Sequence, residues 1–242
     1  MKADLHIHSC LSPCGGLEMS PRAIARRARE LGLGLVALTD HNSAANCGAF
    51  VEACRREGLA ALCGLEVCTR EEAHVLCLFD RLDRAEEFGA AVLASLPPAP
   101  APGPDEPDRA QWLLNADDEI EGRVEQYLGL ASAFTLSDLL ARVAQLDGLL
   151  IPAHVDRPAF SVISQLGFIP PGIGPAVEVS FRYNLRADPL NLQGRYTLLT
   201  HSDAHEPEHM GRAYLEFASE VTTLAALRKA LADRAVRAIH PP

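Results

Sequence analysis

Aromatic side chains are scarce in this 242-residue chain, at 5% with a single Trp. That argues against an activity built on stacking single-stranded bases over aromatic platforms. Basic residues are outnumbered 22 to 32 by acidic ones, for a net charge of −10. Such a balance does not suit a nucleic-acid coat protein or a basic membrane-surface protein, and no long nucleic acid is expected as partner. A phosphorylated substrate is still compatible, because a cluster of divalent cations would make its site locally positive. No apolar run reaches about 18 residues, and the first residues lack a signal-peptide pattern, so a cytoplasmic protein without membrane contact is expected. The seven cysteines form no obvious paired framework, which points to a reducing compartment. Cys54, Cys63 and Cys77 lie in apolar stretches and read as small buried hydrophobes. There is neither a glycine-rich phosphate loop nor a Ser/His/Asp arrangement.

Hydrophobic residues, by contrast, are plentiful at 48%, and the length suits one large α/β domain. The chain opens on Lys2-Ala3-Asp4-Leu5-His6-Ile7-His8. Polar and apolar residues alternate, the period of a strand, so His6 and His8 project to one face. Two imidazoles converging at a strand end suit a divalent transition metal.

Further along, Ser20-Pro21 opens a helix to about Leu31. Leu35–Leu38 is a second strand running into Thr39-Asp40-His41, followed by a helix over about 44–57. A third strand leads through Gly64-Leu65 into Glu66, and a fourth covers His74–Phe79, with His74 at its start. Asp83–Leu96 is helical. Residues 97–107 hold six of the 17 prolines and read as the base of an insertion reaching to about 130, with a hairpin over 111–121. Thr135 with Asp138 caps the next helix. Later strands end at His154, at Glu178-Val179 and at Thr200, the last continuing into His201-Ser202-Asp203-Ala204-His205. A strand–helix–strand unit closes the sequence over Ala213–Ile239. Strands alternating with helices imply parallel pairing. His6, His8, His41, Glu66, His154, Asp203 and His205 follow such strands, the end where parallel folds place their active face. Asp4 is placed to orient a ligand imidazole, Asp40 to cap the turn after His41, and His201 to face the cleft by spacing. Cys10 is expected to be a non-ligand, and His209 and His240 surface residues.

These residues resemble four motifs of the polymerase-and-histidinol-phosphatase (PHP) superfamily of metal-dependent phosphoesterases. Asp4-Leu5-His6-Ile7-His8-Ser9 is similar to the first, Leu38-Thr39-Asp40-His41 to the second, Ile151-Pro152-Ala153-His154 to the third and Ser202-Asp203-Ala204-His205 to the fourth. Glu66 and His74 match the elements between. The resemblance implies a single domain over 1–242: a distorted seven-stranded (β/α)7 barrel with two or three metal ions in a cleft at the strand carboxyl ends. It implies one ion on His6, His8, Glu66 and Asp203, and a second on the bridging Glu66 with His74 and His154. A third would sit on His41, His205 and a residue from the loop after the first strand. The family usually offers His or Asp at that loop position; here Cys14 stands there. A thiolate favours zinc or iron over magnesium, with manganese as a further candidate.

The expected activity is hydrolysis of a small phosphomonoester, nucleotide- or histidinol-phosphate-like, by a metal-bound hydroxide, with Glu66 and Asp203 as catalytic residues. Arg157 and Arg182 are placed to bind the phosphate or its leaving group. A nuclease or oligonucleotide phosphodiesterase, and a non-catalytic metal-stabilised regulatory module, are the alternatives. Amide hydrolysis on a related barrel usually carries a bridging lysine, and none occurs near a strand end. Oligomeric state is not encoded in any of these features.

Overall fold

The first strand, β1 (Lys2–Ile7), is almost wholly buried and lies in the interior of the main sheet. In this computed structural model, which describes residues 1–97 and 110–240, it pairs in parallel with β2 (Leu33–Leu38), and β2 in parallel with β3 (Ala60–Cys68). The pairing then reverses. β4 (His74–Phe79) runs antiparallel to β3, and β7 (Leu149–Pro152) antiparallel to β4. On the other side of β1 lie β10 (Tyr214–Phe217) and β11 (Val236–Ile239), each antiparallel to its neighbour. The result is a curled seven-stranded half-barrel in the order β11-β10-β1-β2-β3-β4-β7. A separate parallel pair, β8 (Ala176–Glu178) with β9 (Thr197–Leu199), stands apart from that sheet.

The α/β class agrees with expectation; uniformly parallel pairing does not, and of the seven strands expected in the barrel the last two, β8 and β9, lie outside the main sheet, whose count is completed by β10 and β11. The reason is local. Only five residues, 69–73, separate β3 from β4, too few for a parallel crossover, which takes a dozen or more. The reversal also accounts for His74. A strand that starts beside the end of its antiparallel neighbour presents its first residue at the same edge of the sheet, and His74 sits opposite Cys68.

Helices cover the sheet's outer face. In α1 (Pro21–Glu30) the Ser20 hydroxyl accepts from the Ala23 amide, Pro21 occupies the first turn, and Pro21, Ile24, Ala25 and Ala28 form the buried stripe. The next helix, α2 (Cys47–Glu57), ends at Gly58 with φ 71°, a conformation that glycine adopts without steric cost. It starts three residues later than the sequence pattern suggests. Asn42 and Asn46 are used instead as buried clamps. The Asn42 amide donates to the Leu128 and Leu130 carbonyls at 2.7 and 2.8 Å. Asn46 donates to the Trp112 carbonyl and accepts from the Leu114 amide, both at 3.1 Å. These bonds fasten the hairpin β5 (Trp112–Leu114) and β6 (Ile120–Arg123) and the segment after it beside the strand ends. The hairpin falls where the sequence places it; all of the proline-rich stretch except Pro97 lies outside the described residues.

Three further helices flank the later strands: α3 (Leu82–Ala94), α4 (Leu136–Gln145), with the expected Thr135–Asp138 capping box, and the short α5 (Val162–Leu166). One core, including Ile24, Val36, Phe50, Cys63, Phe79 and Phe88, lies between sheet and helices. A second lies on the other face, where Leu5, Leu35, Leu62, Leu76 and Ile151 meet α6 (Leu224–Ala232) and Leu199. Among the described residues no helix is long and apolar enough to cross a membrane.

Candidate metal centre

The end of β1 is joined directly to the segment after β9. His8 donates its amide to the Ala204 carbonyl at 2.9 Å, and Ile7 bridges Ala204. Motifs nearly 200 residues apart thereby share one wall. On the other side the Asn42 amide donates to the Glu66 carbonyl at 2.9 Å, and His41 bridges Glu66. Among the described residues three overlapping sets of ligand atoms result, each within 4.8 Å of one another: His6, His8 and Asp203; His41, Glu66 and His74; His8, His41 and His205. His154 joins through Nε2, 2.9 Å from Glu66 Oε1. The buried carboxylate of Glu66 lies 3.0 Å from His74 Nδ1 and from His41 Nδ1.

Proton positions follow from the partners. The Ser12 hydroxyl donates to Asp40 at 2.7 Å, so its oxygen is the acceptor for His8 Nδ1–H at 3.0 Å. His6 Nδ1–H lies 3.0 Å from both oxygens of Glu178. With Nδ1 protonated on each ring, both Nε2 lone pairs point inward, and these atoms face each other at 3.1 Å. Two lone pairs at that separation repel unless a cation or proton lies between them. The surrounding distances fit a cation. Ligands held tetrahedrally about 2.0–2.1 Å from zinc are about 3.3 Å apart. Asp203 Oδ1 is 3.4 Å from His6 Nε2 and 3.3 Å from His8 Nε2, and Glu66 oxygens are 3.3 and 3.4 Å from the same two atoms. The residues present therefore fit a divalent ion.

Electrostatics agree. Burial opposes protonation of His6, but Glu178, Glu66 and Asp203 outweigh it and hold its imidazolium well above the ordinary range. Burial and the neighbouring His205 and His41 push His8 well below it. Despite burial, His74, His6 and His41 hold Glu66 well below the usual carboxylate range, and His6 and His8 do the same for Asp203. The cluster accumulates anionic charge that proton or metal must balance.

Cys14 is exposed. It lines the same cleft as His41, while the third imidazole completing the His41–His205 set is His8. Cys10 is buried, with its thiol pushed up to about 12 by burial and by Asp40. Arg157 donates to Asp203 Oδ2, and Arg182 lines a neighbouring cavity with it. His209 is partly exposed, whereas His240 is half-buried against the Thr200 hydroxyl at 2.8 Å, a correction to its reading as a surface residue.

Asp40 and Asp4 also differ from expectation. Rather than capping the turn after His41, Asp40 accepts from the Ser9 amide, the Ser9 hydroxyl and the Ser12 hydroxyl, because the β1–β2 ladder brings the two loops together. Asp4 accepts from the Ser202 amide at 3.2 Å instead of from a ligand imidazole. Glu178 was missed by the sequence reading. It accepts from His6, His201 and the His154 amide, at 2.9–3.0 Å. Its signal, a carboxylate closing the apolar run Ala176-Val177, matches that of Glu66. Arg212, which donates to the Ser202 and Asp203 carbonyls at 2.6 and 2.9 Å, carried no signal, being an isolated loop residue.

Residues 4–141 match the family model described as the PHP domain, and residues 183–236 match the PHP-associated model. The chain belongs to the PHP domain family. Members of this family are hydrolases acting on phosphoester bonds and use divalent metal ions. No curated protein matches the chain. Among solved structures it resembles the lesion-specific endonuclease Q of Pyrococcus furiosus (TM-score 0.67, 21% identity), covering 95% of this chain and 55% of that one. A second endonuclease Q structure, in complex with a 27-mer duplex bearing an abasic lesion at the active site, gives TM-score 0.67 and 22% identity over 96% of this chain and 56% of that one. The PHP chain thus spans little more than half of those enzymes. A presumed metal-dependent phosphoesterase from Bifidobacterium adolescentis is matched over nearly its whole length, with TM-score 0.60, 19% identity, 97% of this chain and 96% of that one. At these identities the likenesses establish the fold.

Proposed function

We propose that this PHP protein is a metal-dependent phosphoesterase of the reducing cytoplasm that hydrolyses a small phosphomonoester, nucleotide- or histidinol-phosphate-like, and that residues 1–242 act as one domain with an insertion around 97–130. The observation that carries the reading is the pair of inward-facing Nε2 atoms of His6 and His8, 3.1 Å apart and ringed by carboxylates. His6, His8, Glu66 and Asp203 would hold one ion and Glu66, His74 and His154 a second. His41 and His205 would hold a third, with Cys14 at its exposed edge. Imidazole and thiol donors favour zinc or iron, with manganese next.

Divalent ions bound there supply Lewis acidity toward a phosphoryl oxygen and a water acidic enough to act near neutral pH. The chain's own residues do the rest. Glu66 links the sets of ligands into one cluster, and ions held there would be close enough to share a single phosphoryl group. Glu178 fixes the His6 ring and its tautomer. Asp203 is oriented by Arg157, whose guanidinium is placed to meet the oxygens of the scissile phosphate. A cleft of about 330 Å³ opens beside His41 and His74 and is flanked by Tyr127 and Phe160. It admits the organic part of an ester.

The likeness to endonuclease Q favours a second reading, cleavage of a phosphodiester in DNA. Net charge −10 weighs against holding a long duplex without the partner surface that the longer enzymes have room to provide. Both readings are tested together. Metal content is measured on protein purified without chelator, and turnover is then screened on mononucleotides, sugar phosphates, histidinol phosphate and an abasic-site duplex. Phosphate release from a monoester that is lost on chelation and restored by remetallation is the expected result. Activity indifferent to chelation, or confined to the duplex, would overturn the monoesterase reading.

A further inference from the structure

Beside the metal centre lies a cavity of about 460 Å³ whose walls include three arginines, Arg157, Arg182 and Arg212, together with Asp156, Ser180 and Phe181. In a chain of net charge −10 that concentration of positive charge is unusual, and the two carboxylates beside it, Asp156 and Asp203, are outnumbered by the three guanidinium groups. Both oxygens of Asp156 are occupied by the Ser180 amide and hydroxyl, each at 2.6 Å. Asp203 takes Arg157 from the metal side. Among the described residues Arg212 has only backbone carbonyls as hydrogen-bond partners, and its guanidinium lies 4.0 Å from the centre of the Phe181 ring. Arg182 lies 5.2 Å from the same ring and makes no ion pair among the described residues. Three guanidinium groups sharing one cavity repel each other unless an anion lies between them.

We propose that this cavity is a second phosphate subsite, so that the substrate carries two phosphate groups, one at the metal centre and one among Arg157, Arg182 and Arg212. This rests on the phosphoesterase reading for the first of them. Guanidinium forks match the oxygens of a phosphate dianion bidentately, and several forks match a dianion better than they match a carboxylate. Arg157, which touches Asp203 on one side and lines the cavity on the other, connects the two positions. The Asp156–Ser180 bonds pin the loop after β7 to the loop carrying Phe181 and Arg182, so the cavity is formed before ligand arrives. Two sources share this chemistry: a bisphosphorylated small molecule, and the adjacent phosphates of an oligonucleotide.

The test compares kcat/KM of the metal-loaded enzyme on α,ω-alkanediol bisphosphates with that on the matching alkyl monophosphates, and on the trinucleotide pTpTpT with that on thymidine 5′-monophosphate. A preference of about 10- to 100-fold for the doubly charged member is expected, the range of one or two charged hydrogen bonds. Preference in the first pair identifies a bisphosphorylated small molecule, and preference in the second a nucleic-acid strand. In Arg182→Ala the ratio should collapse toward one, and Arg182→Lys should restore part of it. Calorimetric titration with inorganic phosphate supplies a readout independent of turnover. The wild type should bind it in two classes, and Arg182→Ala in one. Hydrolysis with no preference in either pair would overturn the subsite while sparing the phosphoesterase reading. Absence of hydrolysis with two phosphate classes would do the reverse. A single phosphate class unaltered by Arg182→Ala would refute the subsite outright.

Discussion

The candidate ligand residues contributed by positions 6–74 and those contributed by positions 154–205 are held in place by different means. In the first region His6, Glu66 and His74 belong to regular strands, and His8 and His41 lie within three residues of one. The β-ladder sets their spacing, and their backbones need no unusual conformation. In the second region the strands are three or four residues long, and the ligands follow them in irregular segments. His154 and Asp203 have φ of 29° and 48°, left-handed values that cost a non-glycine residue about 1–3 kcal/mol each. Buried polar groups hold those conformations. Glu178 accepts from the His154 amide, Asp4 from the Ser202 amide, and Arg212 donates to the Ser202 and Asp203 carbonyls. Where backbone pairing runs out, charged side chains take over the positioning of the candidate ligands.

The largest effect should come where the two regions meet. Glu66 lies on the first region's ladder but touches His154 of the second. Glu66→Gln should lower kcat/KM by about 1,000-fold or more, since it would weaken two ions together. His41→Ala, at the outer ion, should lower it about 10- to 100-fold. Equal losses in the two variants would remove Glu66 from its bridging role.

The contrast itself is sharpened by removing one buried carboxylate from each region. Glu178→Gln should cost about 3 kcal/mol of stability and about 10- to 100-fold in metal affinity, because His6, His201 and the strained His154 all depend on it. Asp40→Asn should cost about 1–2 kcal/mol, since the ladder still holds His8 and His41. Thermal unfolding and metal titration of both variants measure this. A greater loss in Asp40→Asn would mean that the ladder does not position the first region.

A smaller effect concerns pH in metal-stripped protein. His41 is raised from 6.5 to about 9: burial opposes its charge, but Glu66 prevails, and His6 is raised for the like reason. Groups with raised folded pKa stabilise below their unfolded value and lose that contribution as pH climbs to the folded one. His8, lowered, acts only below 6.5. The stripped protein's melting temperature should therefore fall by about 4–8 °C between pH 6.5 and 9, as about 2 kcal/mol is lost from a chain of this length. Metal-loaded protein should not fall in parallel, because ligation uses the neutral rings. Parallel pH curves for the two forms would contradict the assignment of these imidazoles as ligands.

The smallest effect is expected at exposed Cys14. Cys14→Ser should lower bound metal by less than one ion and leave the ions around Glu66 in place. In wild type, metal should protect Cys14 from iodoacetamide, and stripping should expose it. Equal labelling with and without metal would exclude Cys14 from the third site.

Much of the centre was legible in the chain because most of its ligands follow apolar strands at local spacings. His-x-His gives the period of a strand, and Leu-Glu66, Ala-His154 and Asp203-Ala-His205 mark strand ends. Such short-range patterns persist whatever the partners of each strand. Glu178 has the same signature and was passed over because the motif comparison did not call for it. The role of Arg212 was not legible, since nothing local distinguishes an arginine that reaches back to carbonyls ten and nine residues earlier.

The sequence by itself determined the α/β class, the helix caps at Ser20 and Thr135, and the placing of His6, His8, Glu66 and Asp203 within or just after strands. These depend on period, capping chemistry and burial, all encoded within a few residues. Tertiary structure alone decided the reversal at β4 that returns His74 to the centre. It also decided the proton directions set through Ser12 and Glu178, and the cavity shared by Arg157, Arg182 and Arg212. Each of these depends on which distant segments become neighbours, and that is fixed by how strands pair and loops pack rather than by any local run of residues.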